Sequence, residues 1–309
     1  MHTYCCDRLG NASGRTKPGW HIDIDWGENG LKVSRGRVSP ILLSNDGSLT
    51  LTFLGCGSAF AKSLNQTNLL VVKGSDHFLI DMGTTSARVL HDNGVRVSDI
   101  DHFLITHSHA DHIGGLEEVQ LFNRYVARRK ANMIITKQYE SQLWNESLKG
   151  GSEWSEGRRL RFTDLWTVQR PRKIRGYTRD VYQTEVGSIS VKMFRTKHFP
   201  DSAESWQDSV WSCGVLLDDH VLFTSDTQFD PALLEEFDSK HSLSAIFHDC
   251  QLFTGGVHTG IEELATLPAE LKRKLVLVHY GDRWREYRGF AREAGFHSWG
   301  KALHSYRFD

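Results

Sequence analysis

The residues best suited to chemistry lie in one short segment in the first half of the chain. It places three histidines and one aspartate within six positions, at His107, His109, Asp111 and His112. Burying this many imidazoles beside a carboxylate is costly, unless a cation offsets their desolvation. Neutral imidazole suits zinc and its neighbours, and carboxylate oxygens can bind or bridge such ions. The segment therefore predicts a metal site rather than a group of surface histidines.

The flanking residues indicate how this segment is held. Residues 102–106 are apolar and favour a β-strand, whereas residues 116–128 have helical spacing. The histidines are therefore expected on a strand-to-helix loop. Gly114 and Gly115 follow them and are expected to let the backbone turn tightly there.

This pattern, His-x-His-x-Asp-His after an apolar strand, resembles the metal-binding motif of the metallo-β-lactamase superfamily. The resemblance implies an α/β fold of the αββα sandwich type, with one or two metal ions at its edge. It also implies further ligands downstream, each at the end of a strand. Three strand patterns meet this requirement: residues 191–196 before His198, residues 220–224 before Asp226 and residues 275–278 before His279.

The family also implies how the ligands are divided between two ions. The first ion would be held by His107, His109 and His198, the second by Asp111, His112 and His279, with Asp226 bridging them. Seven ligands are too many for one tetrahedral ion, which favours two ions sharing a carboxylate and a hydroxide. The expected cofactors are two zinc ions, with manganese as the alternative because oxygen donors are present. Such a site lowers the pKa of water and supplies the nucleophile.

Two regions narrow the resemblance to the ribonuclease Z-like phosphodiesterase branch. They are residues 55–60 with Asn68, and the C-terminal stretches 245–250, 255–259 and 278–283. In this comparison His258 takes the place of a histidine that hydrogen-bonds a phosphoryl oxygen or protonates the leaving group. Asp111 is the candidate to hold or accept the proton of the attacking water. The resemblance covers about residues 49–285 and implies that Asp81 orients the metal loop.

One departure from the family bears on the substrate. Bacterial transfer-RNA processing enzymes of this type carry a long RNA-gripping arm between the ligands that match His198 and Asp226. Here only 27 residues (199–225) lie between them, and nearly all are needed for a hairpin. We therefore expect a phosphodiesterase that hydrolyses 3′,5′-cyclic nucleotides to nucleoside monophosphates. It would be similar to phage and bacterial enzymes of the anti-Pycsar type, which destroy cyclic-nucleotide immune signals.

Three alternatives stay open. The first is a ribonuclease Z-like endoribonuclease that processes transfer-RNA 3′ ends, and the second is another hydrolase of the superfamily, such as a lactonase. The third is a metal-containing binding or sensor protein without turnover. RNA is a possible partner because residues 149–183 hold nine Lys or Arg against four acids, interleaved with aromatic residues. A solvated arginine-rich face is an equally good interpretation of that segment.

Composition sets the remaining expectations. A net charge of −1 over 309 residues gives no overall attraction to nucleic acid or membrane. The five cysteines have no paired zinc-finger spacing, and their odd number and scatter argue against a disulfide framework and favour a reducing, cytoplasmic location. Residues 1–48, including the Cys5-Cys6 pair, are expected to form an N-terminal extension that packs on the main domain or a second subunit. Residues 49–309 form the hydrolase domain, and a homodimer is expected.

Overall fold

The computed structural model describes the strands Ile22–Ile24 and Lys32–Arg35 and residues 41–309. Most of the expected extension over residues 1–48, including the Cys5-Cys6 pair, therefore lies outside the described residues. The two short strands pair with each other, and the second also pairs with the last strand of the chain. Through these pairings they join the same sheet as residues 49–55.

The described residues form 17 strands and 10 α-helices. The strands are β1 Ile22–Ile24, β2 Lys32–Arg35, β3 Leu49–Gly55, β4 Asn68–Lys73, β5 Asp76–Ile80, β6 His102–Leu104, β7 Asn132–Ile134, β8 Thr167–Gln169, β9 Arg172–Ile174, β10 Val181–Val186, β11 Ile189–Arg195, β12 Cys213–Leu217, β13 Val221–Phe223, β14 Ala245–Asp249, β15 Leu275–Val278, β16 Ser298–Trp299 and β17 Ser305–Phe308. The helices are α1 Ser86–Asp92, α2 Ala110–Ile113, α3 Leu116–Phe122, α4 Lys137–Leu143, α5 Lys149–Ser152, α6 Phe162–Leu165, α7 Pro231–His241, α8 Ile261–Ala265, α9 Ala269–Lys272 and α10 Arg288–Ala294.

These strands build two mixed sheets. The first sheet has the order β1-β2-β17-β3-β4-β5-β6-β7-β8, and the second has the order β16-β15-β14-β13-β12-β11-β10-β9. Strands β5 to β8 are parallel in the first sheet, as are β13 to β16 in the second. The expected α/β class is confirmed.

Aromatic side chains join the two sheets. The Phe53 ring on β3 lies 5.1 Å from that of Phe247 on β14 and 5.8 Å from that of Phe223 on β13. Tyr306 on β17 meets Phe247 edge-to-face, with 5.0 Å between ring centroids. All four side chains are buried. Edge-to-face contacts add attraction beyond the burial of apolar area, so this layer fixes the first sheet against the second.

The strand directions bring several loops to one edge of the molecule. In the first sheet β3, β5 and β6 run the same way, because β4 is antiparallel to both β3 and β5. In the second sheet β11, β13, β14 and β15 run the same way. Loops that follow the carboxyl ends of such strands collect at one edge of each sheet, where side chains can converge.

One predicted helix differs from the expectation. The helix expected over residues 116–128 is α-helical only to Phe122 and continues as a π-helix over Asn123–Ala127. Thr85 is the N-cap of α1, and its hydroxyl accepts the N–H of Gln66 rather than making a capping bond. Within the part of the chain described here, no helix is both long and apolar enough to cross a membrane.

Candidate metal centre

The loop after β6 is held by Asp81, which follows β5. Its carboxylate accepts the Thr106 N–H and hydroxyl, both at 2.8 Å, and Nδ1–H of His112 at 2.7 Å. Asp81 adopts a left-handed backbone (φ 65°), which is strained for a residue with a side chain. The three hydrogen bonds offset that strain and fix the orientation of the His112 ring.

The backbone conformation contradicts the expectation that Gly114 and Gly115 are needed for a tight turn. Their φ angles are −62° and −95°, which any residue adopts, so no turn demands glycine there. The reason is close packing. A Cβ on Gly115 would lie 2.9 Å from the carbonyl oxygen of Gly83, and one on Gly114 would overlap the Thr84 methyl group. Only glycine lets the metal loop approach the segment after β5.

The first ligand group consists of three imidazoles that come from loops of both sheets. His109 Nδ1 lies 3.0 Å from His107 Nε2 and 3.1 Å from His198 Nε2. Burial lowers the pKa of all three rings, that of His198 to about 4. The rings are therefore neutral at neutral pH, which is the form that binds a metal ion.

A second group lies beside the first. Asp111 Oδ2 is 3.2 Å from Nε2 of His112 and 3.2 Å from Nε2 of His279. Burial alone would lower the pKa of both histidines, but Asp226 and the other surrounding carboxylates raise it well above its ordinary value. A cation among these groups would replace the protons that they otherwise hold.

One oxygen of Asp226 lies between the two groups. The distances from Asp226 Oδ2 are 3.2 Å to His112 Nε2, 3.4 Å to His279 Nε2, 3.7 Å to His107 Nε2 and 3.9 Å to His198 Nε2. This position matches the bridging role that the sequence comparison implies. The structure thus brings together all seven predicted ligands: His107, His109, Asp111, His112, His198, Asp226 and His279.

The surroundings of the rings fit divalent-metal binding. His198 donates from Nδ1 to the carbonyl oxygen of Val257 at 2.8 Å, and His107 Nδ1 lies 3.1 Å from the Thr106 hydroxyl. Outward partners of this kind fix each ring and leave the inward nitrogen to a metal. In each ligand group the candidate ligand atoms lie within 4.8 Å of one another, a spacing that one cation can span.

Asp249 is a site residue that the sequence analysis missed. Its Oδ2 accepts Nδ1–H of His258 at 2.8 Å and the Thr227 N–H at 3.1 Å, and its Oδ1 accepts Nδ1–H of His279 at 3.2 Å. The available signal was a carboxylate at the end of the apolar strand β14, between the strands that deliver Asp226 and His279. Because both of its oxygens are engaged, we assign Asp249 to positioning rather than to ligation.

The hydrogen bond between Asp249 and His258 also shifts the pKa values of both side chains. Burial alone would raise the pKa of Asp249, but His258 and His279 lower it to about 2. Burial would likewise lower the pKa of His258, and the Asp249 carboxylate instead raises it above its ordinary value. His258 and His279 both line a cavity of about 440 Å³ beside the metal ligands. The predicted catalytic histidine therefore has a route to a bound ligand.

The basic segment, residues 149–183, largely neutralises itself. Six of its nine cations form ion pairs: Lys149 with Glu153, Arg158 with Glu156, Arg161 with Asp164, Arg170 with Glu140, Lys173 with Asp180 and Arg179 with Asp230. Of its aromatic residues, Phe162 and Trp166 are buried, whereas Trp154 is exposed under the Arg159 guanidinium. These contacts favour a solvated face over an RNA-binding surface.

Solved structures share this fold. The metallo-β-lactamase fold protein YhfI from Bacillus subtilis superposes with a TM-score of 0.63 at 15% identity, covering 84% of this chain and 99% of that one. A diphosphatase of the PhnP family gives 0.61 at 17% identity, over 83% and 96%. The short form of human tRNase Z gives 0.55 at 15% identity, over 83% and 98%. The predicted αββα sandwich of the metallo-β-lactamase fold is confirmed.

Relatives found by sequence identify the family within this fold. The Anti-Pycsar protein Apyc1 of Bacillus phage vB_BsuM-Goe3 is 36% identical over 249 residues, which span 77% of this chain and 92% of that protein. The protein of that name from Paenibacillus sp. (strain J14) is 33% identical over 247 residues, spanning 78% and 93%. The profile of the family described as Anti-Pycsar protein Apyc1 matches residues 49–303. The chain belongs to the Anti-Pycsar Apyc1 family.

Proposed function

We propose that this protein is a dinuclear metal phosphodiesterase that hydrolyses 3′,5′-cyclic nucleotides to nucleoside monophosphates. The observation that carries the proposal is the position of Asp226 Oδ2, within 4 Å of histidines from both ligand groups. Membership of the anti-Pycsar family supports the choice of a cyclic nucleotide as substrate. The ions are proposed to be zinc, with manganese as the alternative.

The reaction needs a nucleophile, charge stabilisation and a proton for the leaving group. Two ions would supply Lewis acidity and lower the pKa of a water that attacks phosphorus. Asp111, at the edge of the second group, would hold the proton of that water. His258, whose pKa is raised by the Asp249 carboxylate, would donate a proton to the departing ribose oxygen or a hydrogen bond to a phosphoryl oxygen.

Two broader expectations belong to the same proposal. Cys56, Cys213 and Cys250 are free and buried, which supports a reducing, cytoplasmic setting. The homodimer stays a prediction, for which the mass measured by light scattering is the test. The division into an extension of residues 1–48 and a hydrolase domain of residues 49–309 is likewise proposed, and deletion of residues 1–48 tests it.

A substrate panel tests the proposed activity. Purified protein is incubated with 3′,5′- and 2′,3′-cyclic nucleotides, bis(p-nitrophenyl) phosphate, a lactone and precursor transfer RNA, with Asp226→Ala as the control for contaminating enzymes. We expect nucleoside monophosphates from the 3′,5′-cyclic nucleotides in the parent reaction alone. Cleavage of precursor transfer RNA without turnover of cyclic nucleotides would instead establish a ribonuclease Z-like nuclease.

A further inference from the structure

Two exposed phenylalanines line the same cavity as His258 and His279. Phe60 is 86% exposed and Phe253 is 67% exposed, although both are large apolar side chains. Isolated exposed apolar residues are ordinary, but two aromatic rings on one cavity beside a reactive centre mark a binding surface. The cavity volume of about 440 Å³ is in the range of small-molecule sites.

The Phe60 loop is fixed to the strand end that carries His279. It follows β3, whose carboxyl end lies at the same edge of its sheet as those of β5 and β6. Four backbone hydrogen bonds hold it: Tyr280 N–H to Cys56 O and Ser58 N–H to Tyr280 O, both 3.1 Å, and the Lys62 and Ser63 N–H groups to the Asp282 carboxylate, 2.8 and 2.9 Å. Because Tyr280 is the next residue after His279, the loop has a fixed position relative to the metal ligands.

The Phe253 loop is closed in a similar way beside His258. The Gln251 N–H donates to Thr259 O at 2.8 Å, and its side-chain amide donates to His258 O at 3.2 Å. Gln251 thus ties together the two ends of the loop that carries both Phe253 and His258. The aromatic ring and the catalytic histidine are therefore presented by one closed loop.

We propose that Phe60 and Phe253 bind the base of the cyclic nucleotide by stacking while its phosphate occupies the metal centre. The inference rests on the proposed function and adds the residues that hold the rest of the substrate. The polar side chains Gln251 and Asp282 on this cavity already hold the two loops. The rings of Phe60 and Phe253 are the most exposed apolar faces on this cavity, and stacking on such faces contributes substantially to nucleotide binding.

The test compares variants that remove an aromatic ring with variants that keep one. Phe60→Ala and Phe253→Ala should each raise KM for a 3′,5′-cyclic nucleotide roughly 5- to 100-fold, the usual effect of losing one stacking ring, while kcat changes less than about threefold. Phe60→Trp and Phe253→Trp should keep KM within about threefold of the parent value. Trp154→Ala removes another exposed aromatic side chain, which lies outside this cavity, and should leave both constants unchanged.

A substrate that lacks a base distinguishes a loss of base stacking from damage to the metal centre. For ribose 3′,5′-cyclic phosphate, the parent and both alanine variants should show the same kcat/KM. If the alanine variants lose activity equally on both substrates, or keep the parent KM and only change the oligomeric mass, the stacking role is overturned. A parent enzyme without turnover of any cyclic nucleotide would instead refute the proposed function itself.

Discussion

In the proposed mechanism, His258 acts on the substrate through one ring nitrogen, Nε2. Its Nδ1 is held by Asp249 at 2.8 Å, so Nε2 is the nitrogen that can reach a ligand in the cavity. His258→Ala should keep both metal ions but lower turnover of cyclic nucleotides roughly 10²–10⁴-fold, the usual contribution of a positioned acid. The loss should shrink for bis(p-nitrophenyl) phosphate, because p-nitrophenolate leaves without a proton. Equal rates for variant and parent on cyclic nucleotides would end the catalytic assignment.

Asp249 should behave as a positioning residue coupled to His258. We expect Asp249→Asn to lower kcat about 10- to 100-fold with the fold intact, because the amide no longer raises the pKa of His258 or orients its ring as the carboxylate does. Its effect should be much smaller in a His258→Ala background, since the two residues act as one unit. Kinetics of the two single variants and the double variant measure this coupling. Additive losses would show that Asp249 does not act through His258.

At the scale of elements, the basic segment is expected to have little influence on small substrates. Replacing Arg170, Arg172, Lys173 and Arg175 together with glutamine should change cyclic-nucleotide turnover less than about twofold. The reason is that Arg170 and Lys173 already pair with Glu140 and Asp180. Turnover should also keep its salt dependence. A large loss confined to RNA cleavage, with a flatter salt dependence, would contradict this and support the nuclease alternative.

Short-range patterns made the strands and their terminal ligands predictable. His198, Asp226 and His279 each follow an apolar run, and the sequence shows this without knowledge of neighbours. The roles of Asp249 and of Gly115 depend on segments far apart in the chain, because one bonds the His279 ring and the other packs on Gly83. Such contacts depend on the order of the strands in each sheet, which residue types and their spacing do not determine. The helical spacing of residues 116–128 likewise did not distinguish an α-helix from the π-helical continuation after α3.

At the scale of the molecule, the site depends on the packing of the two sheets, because each sheet supplies part of the ligand set. Phe53→Ala should lower the free energy of unfolding by about 3–5 kcal/mol, since the ring is fully buried between the sheets. Denaturant unfolding of the metal-free protein measures this effect. Val126→Ala, at an exposed position, should change it by less than about 0.5 kcal/mol. A loss of under about 1 kcal/mol in Phe53→Ala would show that this aromatic layer does not hold the sheets together.

The most direct test of the central claim is a zinc titration of the metal-free protein, with hydrolysis of a 3′,5′-cyclic nucleotide measured at each addition. The account predicts negligible activity without metal and a plateau at about two ions per chain, confirmed by elemental analysis of the desalted protein. Asp226→Ala should retain less than about one ion and remain inactive, because the bridging carboxylate serves both positions. Asp92→Ala, at an exposed position, should titrate like the parent. A plateau at one ion per chain, or full metal content in Asp226→Ala, would contradict the dinuclear centre.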